Sequence, residues 1–380
     1  MTDFSAFADR PCPDWYARPQ LGIFIHWGIF AVPAWAPKAE SITDLARNDY
    51  DNLFAQAPYA EWYSNALRLP GSPTAVRHAE IYGDRPYDSF RPEFEAAAEA
   101  FDADAWADLF AASGAGYVVF VTKHHDGFCL WPTDVPNPHE PGWHSRRDFV
   151  GELAAAVRAR GMRFGLYYSG GLDWTFYPRP IRDMGDLFAA VPPGQDYRAY
   201  ALAQVRELIE RYKPSVLWND IAWPDKEDEP ALFADYYAAV PDGVVNDRWL
   251  GETRFFESMR DDAKRKAHND AIKARQAAST AERPSRRPPH CDFRTVEYGT
   301  GEGMEGQKWE STRGLGLAFG YNASEADTDY MTGAALIQLY RDVTARGGNL
   351  LINVGPRADA SIPEPQSSAL LALGAVLGIK

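Results

Sequence analysis

Short apolar runs that close on a polar residue recur along the chain. Leu21–Gly28 (LGIFIHWG), Gly116–Lys123 (GYVVFVTK), Arg163–Gly170 (RFGLYYSG) and Ser215–Asp220 (SVLWND) read as buried strands. Gly243–Trp249, Phe293–Gly299, Leu315–Asn322 and Asn349–Pro356 continue the series. Between them the apolar period becomes helical. In DYRAYALAQVRELIERYKP, Tyr197, Ala201, Val205, Leu208, Ile209 and Tyr212 share one face. Ser145 and Asp148 stand at capping-box spacing before a Val150, Leu153, Ala154 and Val157 stripe, which Gly161 ends. DADAWADLFAASG and TGAALIQLYRDVTARGG follow the same plan. Strands interleaved with helices in this way predict an α/β fold, a (β/α)8-like TIM-type barrel, with residues 1–380 as one catalytic domain.

In such a barrel the chemistry sits at the C-terminal ends of the strands. His26, His124 with His125, Tyr168, Asp220, Arg248 and Glu297 all fall at or just after the end of an apolar run. Polar residues finishing strand after strand build a poor core, but they converge if the strands close. One segment breaks the rhythm. Residues 251–290 are poor in large aliphatics and locally basic, reading as a polar helix followed by the Pro/Arg-rich loop ERPSRRPPH. The expectation there is a solvated insertion on the barrel rim.

Composition narrows the function. Apolar residues are 46% and charged residues 24%, which excludes wholesale disorder. A net charge of −14 argues against a nucleic-acid surface and leaves a small or neutral ligand open. No apolar run approaches membrane-spanning length, and the N-terminus lacks the basic and apolar regions of a signal peptide, so a soluble, cytoplasmic protein is expected. Cys12, Cys129 and Cys291 are widely spaced, with no zinc-finger framework. No phosphate-cradle glycine pattern exists, so no nucleotide cofactor is expected. A homo-oligomer is compatible with all of this and is not defined by it.

Asp220, between Trp218 and Trp223, is either a helix cap or a nucleophile. Glu297 ends a later strand and would face the same mouth. Two convergent carboxylates are what glycoside hydrolysis needs, about 5–5.5 Å apart for retention or about 6.5–9.5 Å for inversion. The histidine pair is the other signal. Adjacent strand residues point to opposite faces, so His124 and His125 could share a target only where the chain turns beyond the strand. His26 and Asp126 would be needed to complete a metal site, and no HxH or HExxH spacing exists. No metal is expected; neutral imidazoles, each with one donor and one acceptor, suit sugar hydroxyls better.

The stretches LGIFIHWGIFAVPAW, EWY, VTKHHDGFCLWPT, RDFVGEL, RFGLYYSGGLDW, YKPSVLWNDIAWP, VNDRW, TVEYG, KWESTRGLGLAFGYN and RGGNLLINVGP, in this order from about Trp15 to beyond Pro356, resemble the bacterial-type α-L-fucosidases of glycoside hydrolase family 29. The resemblance implies a retaining exo-α-L-fucosidase with Asp220 as nucleophile and Glu297 as acid/base. It implies sugar binding by His26, Glu61, Trp62, His124, His125, Tyr168, Trp218 and Arg248, with Phe319 against the fucose C5 methyl. The implied partner is a fucosylated oligosaccharide or glycoconjugate, with no cofactor. The resemblance also brings a C-terminal β-sandwich, and the expectation here is a barrel lacking it. The insertion at about 251–290 lies between the arginine and acid/base motifs, and Glu302, Glu305 and Glu310 are alternatives for the acid/base. Glu310, following an aromatic, reads as structural.

Each residue also has a plainer reading. On the residues alone, Glu61 and Trp62 are a surface glutamate beside a core tryptophan. Arg248 is a barrel-end ion pair with Asp247 or another acid. A non-catalytic fucose-binding protein, a metal hydrolase using the histidine pair and a site relaxed toward α-L-galactosides are the competing functions.

Overall fold

In the computed structural model, which describes residues 3–39, 42–278 and 287–379, the apolar runs become parallel strands buried on both faces. Among the described residues these are β1 (Leu21–Ile25), β2 (Tyr117–Lys123), β3 (Arg163–Tyr168), β4 (Val216–Asn219), β5 (Val244–Val245), β6 (Arg294–Glu297), β7 (Trp309–Gly314) and β8 (Asn349–Val354). They form one curled sheet in the order β5-β4-β3-β2-β1-β8-β7-β6, a TIM-type (β/α)8 arrangement.

Strand alternation sorts the core into two layers. Phe24, Tyr117, Val119, Val121, Tyr167, Val216, Trp218, Val244 and Leu351 pack together on the concave side with Tyr16 and Phe293. Their neighbours Ile23, Ile25, Val118, Phe120, Phe164, Leu166, Leu217, Leu350 and Ile352 meet the helices instead. Each such buried side chain contributes about 1.5–3 kcal/mol. Gly22 has to be glycine, because a Cβ there would stand 2.3 Å from the Tyr117 ring that fills the bottom of the barrel.

No ladder joins β5 to β6 among the described residues, and two aspartates bridge that seam instead. Asp292 N donates to Val245 O (2.9 Å), and its Oδ2 accepts from Val245 N (2.8 Å). Asp247 Oδ1 accepts from Thr295 N (3.0 Å) and Thr295 Oγ1 (2.6 Å), while its Oδ2 pairs with Arg294 Nε (2.6 Å).

The helices that matter below are α1 (Ile42–Asn48), α2 (Ala103–Ala112), α3 (Phe149–Ala159), α4 (Met184–Ala189), α5 (Gln195–Tyr212), α6 (Glu229–Ala239), α7 (Asp262–Ala278), α8 (Gly333–Ala345) and α9 (Glu364–Leu377). Side chains cap several of them: Asp102 accepts from Ala105 N and Thr332 from Ala335 N. The cap of α3 is Asp148, which accepts from Gly151 N (2.8 Å). Ser145 lies outside the helix and accepts from Arg147 N, so the expected capping box does not form.

Two expectations are corrected. Leu315–Asn322 is not a strand; the seventh strand is the polar WESTRG just before it. β7 pairs with β8 from Glu310↔Asn349 to Gly314↔Asn353 and so reaches the strand ends by Gly314. The apolar residues beyond fold over the top of β8. Gly355 permits that close approach, since a Cβ there would meet Tyr321 N at 2.6 Å and Phe319 O at 2.7 Å.

The basic segment also differs from a purely solvated rim. It carries α7, and Asn269 of α7 is buried. Of the Pro/Arg-rich loop, residues 282–286 lie outside the described residues.

Candidate active site

At the C-terminal ends of the strands a cavity of about 220 Å³ opens. His26, Glu61, Trp62, His124, His125, Trp218, Asp220, Arg248, Glu297 and Phe319 all line it. They come from the ends of β1, β2, β4, β5 and β6, from a 3-10 turn at Ala60–Trp62, and from the chain that folds over β8. Tyr167 and Trp218 pave the floor, stacked at 5.5 Å with 22° between planes.

Arg248 organises the charge. Its Nη1 donates to Asp220 Oδ1 (2.9 Å), its Nη2 to Glu297 Oε1 (2.6 Å) and its Nε to Thr295 Oγ1 (3.1 Å). The planar fork thus fixes both carboxylates against one guanidinium, which itself lies over the Trp218 ring at 4.9 Å. Of the acids offered as partners in the plainer reading of Arg248, Asp247 pairs with Arg294 across the seam. Asp220 is held further by Ile221 N on Oδ1 (2.8 Å) and by the Tyr167 hydroxyl on Oδ2 (2.8 Å). The residue after each carboxylate is left-handed: Ile221 has φ 66° and Tyr298 φ 56°. For a β-branched residue this conformation is an outlier, costing about 1–3 kcal/mol.

Burial disfavours the charged form of all three imidazoles, and the neighbours of His26 and His125 assign their tautomers. Asn353 Nδ2 donates to Phe319 O (2.6 Å), so Asn353 Oδ1 accepts from His26 Nδ1–H (2.6 Å). Ser169 Oγ donates to Leu172 O and accepts from His125 Nδ1–H (2.7 Å). In both rings Nε2 is left as an acceptor, and that of His125 stands 3.9 Å from Asp220 Oδ2. Burial pushes His26 down to about 4, despite the Asn353 bond and Asp220. Burial, with the neighbouring imidazoles, takes His124 well below its ordinary value, and burial does the same to His125. His124 lies parallel to Tyr167 at 5.9 Å, with Nδ1 buried and unpartnered. Glu61 is raised to about 7 by burial, against the Gly320 N–H that donates to its Oε2 (2.8 Å). Trp62 stacks on Phe54 at 4.7 Å and meets His125 edge-on at 5.0 Å.

The α-L-fucosidase family model matches residues 2–380. The chain belongs to the α-L-fucosidase family. It is 31% identical over 388 residues to tissue α-L-fucosidase of Bos taurus, a match covering 99% of this chain and 69% of that protein. The crystal structure of Thermotoga maritima α-fucosidase is 42% identical with a TM-score of 0.80, covering 99% of this chain and 76% of that one. An α-L-fucosynthase of the same organism, in complex with α-L-Fuc-(1-2)-β-L-Fuc-N3, gives 42% and 0.82 over the same shares. The enzyme is an α-L-fucosidase, a glycoside hydrolase acting on fucosylated substrates.

Tyr168 does not reach the fucosidase cavity. Its hydroxyl donates to Gln204 Oε1 (2.9 Å) and its ring faces Lys123 Nζ at 4.4 Å, on the helix side of the sheet. Tyr167 takes the place expected of it. Alternation held the signal: Tyr167 pairs with Trp218 in the β3–β4 ladder, and residues level in a ladder point to one face. Among the alternatives to Glu297, Glu302 and Glu305 are exposed and line no part of the cavity. Glu310 is buried beneath the floor, accepting from Tyr16, Trp218 Nε1 (3.0 Å) and Tyr117.

The sequence reading also missed an apolar lip of the cavity: Ile42, Phe54, Tyr59, Met184 and Leu187 line it from outside the strands. No strand-end signal marks them. Among the described residues no group of three or more His, Cys, Asp or Glu is placed to hold a metal ion, and no helix is long and apolar enough to cross a membrane.

Proposed function

We propose that this α-L-fucosidase is an exo-acting retaining enzyme working by double displacement. Asp220 attacks the anomeric carbon of a terminal α-L-fucosyl residue as Glu297 gives its proton to the glycosidic oxygen. The aglycone leaves and a β-linked fucosyl-enzyme remains. Glu297 then takes a proton from water, whose oxygen displaces Asp220 from the same carbon and releases α-L-fucose.

One observation carries this reading: a single guanidinium, Arg248, binds Asp220 and Glu297 together at the cavity mouth. Glu297, with 34% of its side chain exposed against 13% for Asp220, is the one better able to exchange protons with water. Further support comes from the polar and apolar walls. Nε2 of His26 and of His125 accept from ring hydroxyls, Glu61 takes another, and Phe319 covers the C5 methyl. The Thermotoga complex with a β-L-fucosyl azide unit fits the same β-linked intermediate.

Asp220→Gly should cut kcat on an aryl α-L-fucoside by several orders of magnitude, and azide should partly restore turnover by forming β-fucosyl azide. Glu297→Ala should instead yield α-fucosyl azide, because azide then attacks the fucosyl-enzyme. Full activity in Asp220→Gly, or the same azide anomer from both variants, overturns the assignment.

A further inference from the structure

We propose that α7, in the basic segment, is a strut that fixes an apolar lip over the cavity and so selects the leaving group, favouring an aglycone with an apolar or C–H-rich face. This rests on the fucosidase reading above and adds a specificity determinant to it. The aliphatic part of the lip is Ile42 on α1 with Met184 and Leu187 on α4. Neither helix belongs to a barrel strand end, so something else must hold them.

α7 packs on both α1 and α4. Asn269 ties them together: its Oδ1 accepts from Gly185 N (2.9 Å) within α4 and from the Tyr50 hydroxyl (2.9 Å) just after α1. Arg265 adds an ion pair to Asp186 (3.1 Å), and Lys273 pairs with Asp51. Ile272 of α7 packs into the same apolar cluster as Met184, Leu187, Phe54, Trp62 and Tyr298. Tyr298 directly follows Glu297 in the chain, so this cluster also reaches the residue proposed to protonate the leaving oxygen. One C5 methyl needs one apolar wall, and Phe319 already supplies it. Three further aliphatic side chains at the mouth therefore serve the group that departs.

Asn269 is a positioning residue, not a catalytic one, and its test uses substrates with and without an aglycone. For Asn269→Ala, kcat/KM on 4-nitrophenyl α-L-fucoside should fall about fivefold to tenfold, mainly through KM, while α-L-fucosyl fluoride stays within about twofold of wild type. Asn269→Asp keeps the accepting oxygen and should restore the aryl substrate. Tyr50→Phe, which removes one of the two bonds, should show a smaller loss of the same kind and serves if the alanine variant does not fold. An equal fall on both substrates, or no fall on either, overturns the strut. Failure of the wild-type enzyme to hydrolyse either substrate would overturn the fucosidase reading instead.

Discussion

The Tyr167 hydroxyl and the Ile221 amide decide where the Asp220 carboxylate points. Tyr167→Phe removes a hydrogen bond to a charged group, about 1.5–3 kcal/mol, so kcat should fall about 10- to 100-fold with little change in KM. Tyr168→Phe should leave both constants near wild type and lower stability by about 1 kcal/mol, because its partner Gln204 is outside the cavity. Equal losses in the two variants would contradict the register that sets Tyr167 level with Trp218. Ile221 offers a second contrast. Ala and Gly both delete the side chain, but only Gly relieves φ 66°, so Ile221→Gly should be about 1 kcal/mol more stable than Ile221→Ala in thermal unfolding. If the strained turn fixes the Asp220 carboxylate, Gly should also have the lower kcat. At this scale the carboxylates, Arg248 and the histidines were legible because each ends an apolar run. Tyr168 was misread because neighbouring strand residues face opposite ways and the sequence alone did not say which face closed inward. Glu61 and Trp62 look like a surface glutamate and a core tryptophan; they line the cavity through a 3-10 turn whose position no periodicity reveals.

Strands written in apolar residues were the legible elements, and β7 was not, because its inward side faces a polar network. Glu310 answers three donors, from Tyr16, Tyr117 and Trp218, so hydrogen bonding rather than hydrophobicity holds that part of the barrel together. The apolar run that looked like the seventh strand is the flap carrying Phe319 over the strand ends. The β5–β6 seam was equally invisible, since β5 is two residues long and side chains do the work of a ladder. Asp247 and Arg294 are almost fully buried there, with side chains 0% and 5% exposed. Asp247→Ala takes a buried carboxylate away from Arg294, Thr295 N and Thr295 Oγ1 at once, so it should lower stability in denaturant unfolding. It should also lower kcat, because Thr295, which Asp247 orients, holds Arg248 Nε. A variant of wild-type stability would show that the seam does not depend on this pair.

For the molecule as a whole, the buried site ties folding to pH with opposing signs. Buried imidazoles such as His26, lowered from 6.5 to about 4, contribute stability that is present above pH 6.5 and lost as pH falls toward 4. Glu61 works the other way. Its folded value of about 7 lies above the unfolded 4.5, so the native state holds the proton more tightly, and the resulting stability is complete below pH 4.5 and lost as pH rises through 7. Because these contributions overlap, the wild-type profile alone cannot separate them, whereas a single substitution can. Glu61→Gln removes one titration and keeps an oxygen for the Gly320 amide. Its stability relative to wild type should therefore increase by about 3 kcal/mol between pH 4.5 and 7.5, read from denaturant midpoints at the two values. A constant offset across that window would mean that the glutamate is as well solvated in the folded enzyme as in the unfolded chain. The cavity would then be wetter than its packing against Phe319 and Gly320 implies, and a sugar-binding role for Glu61 would need no desolvated carboxylate.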